Sequence, residues 1–128
     1  DEDYAAIYQG LLSPVAEEFN PQLILVSAGY DIYCKDPLGA MDVTPEGFAI
    51  LTSQVMKLAT SCCQGKLVVT LEGGYHLGGL RESVKTTLKE LTGNSVLTGA
   101  HGAQGLSGST ARIMEEVRKV QKAFWTAL

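Results

Sequence analysis

Two short segments carry the side chains best suited to chemistry: Ser27-Ala28-Gly29-Tyr30-Asp31 and Leu71-Glu72-Gly73-Gly74-Tyr75. Each follows an apolar run, Leu23 to Ser27 in the first case and Leu67 to Leu71 in the second. If these runs are neighbouring parallel strands, both segments leave the same end of the sheet, where open α/β sheets bind their ligands. Asp31 there offers a carboxylate to a hard or borderline metal. Tyr75 offers a phenolic O–H to a developing oxyanion. Gly73 and Gly74 let a substrate approach the main chain with no Cβ in the way. Each feature also has an ordinary structural explanation. An aspartate after a strand is more often a turn or cap residue, and Gly-Gly-Tyr is more often a tight turn beneath an aromatic ring.

The elements that must position these residues alternate between helix and strand. Tyr4, Tyr8, Leu11, Leu12, Val15 and Phe19 recur at helical spacing, behind an acidic start, Asp1-Glu2-Asp3, that suits the positive end of a helix. Asn20-Pro21 ends that helix, because the residue before proline is pushed out of the α region. The continuous apolar run that follows predicts a strand buried on both faces, as in a parallel sheet. A long loop spans Ala28 to Val43. Thr44-Pro45 then predicts a helix start, a capping hydroxyl with proline in the first turn. That helix runs to about Cys63, with Phe48, Leu51, Val55, Leu58 and Cys62 on its buried face and Gly65 in the left-handed cap. Leu80, Val84, Leu88 and Leu91 predict a third helix closed by Gly93. Ile113, Val117, Val120 and Phe124 predict a last amphipathic helix ending at Trp125. The stretch 94–109, rich in Gly, Ser and Ala, is predicted as a flexible loop. Strand, helix, strand is a βαβ unit with parallel pairing and a right-handed crossover. The fold class expected is therefore α/β: a parallel-sheet βαβ core with flanking helices, in a single domain over 1–128. Two strands make a thin sheet, as expected of part of a larger architecture.

Composition narrows the function. At 128 residues, 45% of them hydrophobic and 19% charged, the chain can bury one core and is not disordered. A formal net charge of −4 argues against nucleic acid, which needs a basic face. No apolar run approaches the roughly 20 residues of a membrane span, and no secretory leader pattern is present. Three cysteines, two of them adjacent at 62 and 63, give neither a disulfide framework nor CxxC spacing, which favours a reducing, cytoplasmic setting. Gly73-Gly74 with Gly78-Gly79 lacks the order of a dinucleotide loop. His76 and His101 have no partner at helical metal-pair spacing and are expected at the surface. Glu115, Glu116, Arg118, Lys119 and Lys122 read as a solvated helix face.

In combination the segments say more. Val26-Ser27-Ala28-Gly29-Tyr30-Asp31, Asp36-Pro37-Leu38-Gly39 and Leu71-Glu72-Gly73-Gly74-Tyr75, in that order, closely resemble the histone deacetylase family, in particular its class II and acetylpolyamine-amidohydrolase branch. Phe19-Asn20-Pro21, Thr44-Pro45-Glu46-Gly47-Phe48 and Phe124-Trp125 extend the resemblance over almost the whole chain. It implies the C-terminal part of an arginase/deacetylase fold and a zinc-dependent amide hydrolase. Under it, Asp31 matches a zinc-ligating aspartate and Tyr75 the tyrosine that polarises the acyl carbonyl. Gly73 and Gly74 match main chain at the acyl-lysine tunnel, and Leu38 an apolar residue of its wall. A metal acting as Lewis acid with a phenol at the oxyanion fits this set.

The chain also departs from the family pattern. No D-x-H and no His-His occurs in it, so the other zinc ligands and the general base and acid of the family are not here. A catalytic zinc takes three protein ligands and an open position. The chain is therefore expected to be a C-terminal deacetylase segment that holds no stoichiometric zinc and no activity alone. Its expected partner is the missing N-terminal segment or a second copy of itself. The alternative is a stand-alone, non-catalytic module with a binding or assembly role. The non-Met start points to excision and the well-patterned helices to independent folding.

Overall fold

The computed structural model describes residues 1–97 and 105–128. The N-terminal apolar periodicity folds as continuous helix in three parts: α1 (Glu2–Ile7), a π-helical segment (Tyr8–Leu12) and α2 (Ser13–Phe19). The π segment inserts a residue into the helical repeat, so apolar positions beyond it rotate off the face that α1 buries. Phe19, expected in the core, is 68% exposed. Asn20 ends α2 in the left-handed region at φ 54°, ahead of Pro21. The acidic start works differently from a simple dipole match. Asp1 accepts from the Thr44 amide at 2.8 Å and from its hydroxyl at 2.6 Å. Asp3 accepts from the Ser107 amide at 2.9 Å. The first turn thus anchors the starts of two distant helices.

Strand β1 (Ile24–Gly29) pairs in parallel with β2 (Leu67–Gly73), joined by α3 (Pro45–Cys63). This is the βαβ unit expected, with the two apolar runs adjacent. Thr44 caps α3 through its hydroxyl, which accepts from the Gly47 amide at 3.1 Å, and Pro45 occupies the first turn. At the far end Gln64 (φ 58°) takes the left-handed cap and Gly65 (φ 79°) follows it. The buried face of α3 runs through Phe48, Leu51, Leu58 and Cys63, with Cys62 only half-buried. Cys63, one position on from the expected residue, is the one that turns inward. Helix α4 (Leu77–Leu91) packs along α3, and Tyr30, Val43 and Phe48 form the centre of the core.

The strands are covered on one face only. Val26, Ala28, Leu67 and Val69 line a cavity of about 130 Å3 with Tyr8, Phe48, Leu51 and Val55. On the opposite face Leu25 is 70% exposed and Val68 49%. Burial on both faces, expected from the unbroken apolar runs, is not met within the described residues. No second layer of described residues lies against that side.

Helix α5 (Gly108–Gln121) also turns differently from expectation. Met114 is its buried residue, seated where a Cβ on Gly10 would meet its Cε. Ile113, Val120 and Phe124, expected to face the core, are exposed. Arg118 explains the rotation: it reaches the Gly10 carbonyl at 3.2 Å, drawing a nominally polar position inward. Of the 94–109 stretch, residues 98–104, and with them His101, lie outside the described residues, and Gly108 and Ser109 already belong to α5. No helix among the described residues is long and apolar enough to cross a membrane.

Candidate active-site rim

A parallel pair sends both its carboxyl ends the same way, so the loops after β1 and β2 meet. Tyr30, immediately after β1, is buried; its ring lies 5.0 Å from that of Phe48 and its hydroxyl donates to Thr87 Oγ1 at 3.2 Å. Its amide continues the sheet by donating to the Gly73 carbonyl at 3.0 Å. The ladder slips between Ala28 and Gly29, so Gly29 pairs with Gly73 across one extra residue in β2. Such bulges re-aim the chain beside functional sites. Here two glycines come face to face, and the Asp31 side chain lies over them. A Cβ on Gly29 would stand 2.8 Å from Asp31 Oδ1, and one on Gly73 would be 3.7 Å from Asp31 Oδ2.

Asp31 is half-buried, and its carboxylate accepts no hydrogen bond among the described residues. Its charge acts on Tyr4: burial pushes that phenol up, and the Asp31 carboxylate pushes it further. Asp36, five residues on, is in the opposite condition. Its Oδ1 accepts from the Leu38 amide at 2.9 Å and the Gly39 amide at 3.2 Å. Its Oδ2 accepts from the Tyr75 amide at 2.7 Å and the His76 amide at 3.1 Å. Desolvation pushes the Asp36 carboxyl up, but the amides outweigh it and hold the group below the ordinary aspartate value.

The sequence-predicted residues therefore divide into two connected sets. Asp31 and Gly73 come together at the strand ends. Leu38, Tyr75 and His76 come together through Asp36. Gly39 links the sets, because a Cβ there would overlap the Asp31 carbonyl. Gly74 turns the chain at φ 129°, with Tyr30 and Leu80 pressed against it. Tyr75 is 57% exposed and Leu38 70%, and neither lines the cavity beneath the sheet. His76 is not a simple surface residue. Its Nδ1 accepts from the Gly79 amide at 2.9 Å, capping α4, and its ring lies 5.3 Å from that of Tyr33.

In the sequence Asp36 stands out only as part of the motif Asp36-Pro37-Leu38-Gly39. Asp-Pro-Leu-Gly does signal an Asx-type turn, which accounts for its bonds to Leu38 and Gly39. Nothing local signals its bonds to Tyr75 and His76.

One uncommitted carboxylate fits one corner of a metal site. Among the described residues no three His, Cys, Asp or Glu side chains lie together as a metal-binding group. Asp31 by itself is one carboxylate, where a catalytic zinc takes three protein ligands.

Comparison with known proteins agrees with this fold. The model of the histone deacetylase domain family matches residues 1–91. Over 128 residues the chain is 38% identical to histone deacetylase 5 of Arabidopsis thaliana, covering all of this chain and 19% of that protein. It is 43% identical over 121 residues to the polyamine deacetylase HDAC10 of Homo sapiens, covering 94% of this chain and 16% of that protein. The chain spans less than a fifth of the length of these relatives. Among solved structures, the HDA15 HD domain superposes with a TM-score of 0.84 at 33% identity, over 98% of this chain and 32% of that one. The histone deacetylase Clr3 does so with a TM-score of 0.85 at 28% identity, over 98% and 20%.

Proposed function

The chain belongs to the histone deacetylase domain family, and from that premise we propose that it forms part of the active-site rim of an amide-hydrolysing deacetylase. The observation that carries the proposal is the Asp31 carboxylate, which accepts no hydrogen bond among the described residues and lies over the paired strand-end glycines, with the Tyr75 loop tethered to Asp36. In this role Asp31 is a metal ligand, and its lone pairs are kept for that use. Tyr75 is the catalytic residue of this chain, its phenol donating to the oxygen of the acyl carbonyl as charge develops there. Gly73 and Gly74 give an acyl chain close access to the main chain, and exposed Leu38 supplies apolar wall. Bound zinc would supply Lewis acidity and an activated water. The remaining ligands and the general base come from outside this chain, so the chain alone does not catalyse. An acetylated lysine or an acetylated polyamine is the substrate class that suits these loops, in a reducing, cytoplasmic setting.

The bare sheet face supports the same proposal. Leu25 and Val68 present apolar surface, and both strands have an outer edge with unpaired main chain. We assign this surface to the rest of a deacetylase domain, or to a second copy of the chain when that domain is absent.

Complementation tests the proposal. The chain is combined with the segment that precedes this region in the human polyamine deacetylase, and hydrolysis of an acetyl-lysine peptide and an acetylated polyamine is followed. The combination is expected to hydrolyse one of them, and Asp31→Asn and Tyr75→Phe are each expected to abolish it. Hydrolysis that survives Tyr75→Phe unchanged would overturn the assignment. Hydrolysis by the chain alone would overturn the division of the site between two segments.

A further inference from the structure

We propose that Asp36 is a positioning residue: by bridging two loops through four main-chain amides, it sets where Tyr75 stands relative to Leu38 and Asp31. The inference rests on the deacetylase assignment and deepens it. Each Asp36 oxygen serves one loop, Oδ1 the Leu38–Gly39 turn and Oδ2 the Tyr75–His76 main chain. A turn-forming aspartate needs only the first of these. The second spans 39 residues of sequence at 2.7 Å, the shortest of the four bonds.

Both ends of the bridge are seated on fixed structure. The Gly39 main chain lies so close to the Asp31 carbonyl that no Cβ fits between them. On the other side, Gly74 is wedged beneath Tyr30 and Leu80, and His76 starts α4 through its bond from the Gly79 amide. Tyr75 stands between these anchors with an exposed ring and no side-chain hydrogen bond among the described residues. Its hydroxyl therefore goes where its main chain goes, and its main chain is held by Asp36. A carboxylate is needed because four N–H donors converge on it; an amide side chain would turn its own NH2 toward one pair of them.

Residue-resolved amide exchange on the chain tests the bridge itself. In Asp36→Ala the Tyr75 and His76 amides exchange roughly tenfold faster or more, while the β1–β2 ladder keeps its wild-type rates. Unchanged exchange at Tyr75 and His76 overturns the proposal. Equal acceleration throughout the β1–β2 ladder overturns it too, since Asp36 would then hold the fold in general. In Asp36→Asn at least one of the two amide pairs loses protection; full protection of both would remove the need for a carboxylate.

Kinetics on the complemented, hydrolysing assembly tests the consequence. Asp36→Ala lowers kcat by about a hundredfold with KM within about threefold, the signature of a misplaced catalytic group and not of lost binding. Tyr75→Phe in the same assembly separates the two ways of failing. If it leaves hydrolysis intact, the catalytic role proposed for Tyr75 falls. If it abolishes hydrolysis while Asp36→Ala keeps kcat, the role of Tyr75 stands and the positioning role of Asp36 falls.

Discussion

At the carboxyl end of β1 and β2 the main chain is held almost atom by atom. Two glycines pair across a bulge, Gly39 lies against the Asp31 carbonyl, and Asp36 spends both oxygens on amides of two loops. One face of the same two strands, a few ångströms away, is bare: Leu25 and Val68 carry apolar side chains that nothing among the described residues covers. The difference shows which tasks the chain does for itself. It fixes the relative placement of Asp31, Leu38 and Tyr75 with its own atoms, and its described residues leave the second face of the sheet uncovered.

Substitutions on the two faces of the sheet should break that comparison most strongly. Phe48 is buried against Tyr30, so Phe48→Ala should cost about 3–5 kcal/mol in a denaturant melt of the chain. Leu25→Ala, on the open face, should stay within about 0.5 kcal/mol in the same measurement. In the complemented assembly the open face should matter. Leu25→Asp should prevent association there, read by light scattering, while leaving the isolated chain folded.

The rim should be intolerant in proportion to its closeness. Gly39→Ala forces a methyl group into the Asp31 carbonyl and should destabilise the chain by about 1–3 kcal/mol. Tyr30→Phe should cost less, about 1 kcal/mol, because it removes a single buried hydrogen bond to Thr87 and leaves the ring packed. A Tyr30→Phe chain of unchanged stability would mean that the bond contributes nothing to holding the loop after β1.

Acid should act on tethers at a distance from the rim, with the smallest effect. The Asp3 carboxyl is lowered first by the Ser107 amide, and Glu18 first by the Ala127 amide. A group whose folded-state value is depressed adds stability above its unfolded value and loses it as pH falls through the folded one. The urea midpoint should therefore decline as pH falls below the ordinary values of 3.8 for Asp3 and 4.5 for Glu18. Asp3→Asn and Glu18→Gln should each flatten that decline, and a decline of unchanged steepness would assign it to other carboxylates.

Much of this arrangement is legible in the residues. Thr44-Pro45 marks the start of α3 because a capping hydroxyl and a ring-locked φ act locally. The apolar runs mark β1 and β2, and parallel pairing then follows from the crossover helix, which brings the Asp31 and Tyr75 loops to one end. What is not legible depends on partners distant in sequence. The π segment at Tyr8–Leu12 appears where Arg118 and Met114 of α5 close on Gly10, so neither its existence nor the rotation of α5 can be read from periodicity. The Asp36 bridge is half local and half not, and the local motif shows only the Leu38–Gly39 half. The bare face of the sheet escaped for the opposite reason. Leu25 and Val68 look like core residues because, in this family, we take them to be covered by a layer the described residues do not include.

Under the proposed function this chain contributes one metal ligand and an ordered rim, and the rest of the site comes from elsewhere. Zinc content after chelator washing and dialysis, measured by elemental analysis on the isolated chain and on the complemented assembly, tests it most directly. The account predicts well under one equivalent of zinc per isolated chain. It predicts about one per assembly, lost in Asp31→Asn, as three ligands and an open position require. A full equivalent held by the isolated chain and lost in Asp31→Asn would contradict it, because the remaining ligands would then have to come from this chain or from its copies.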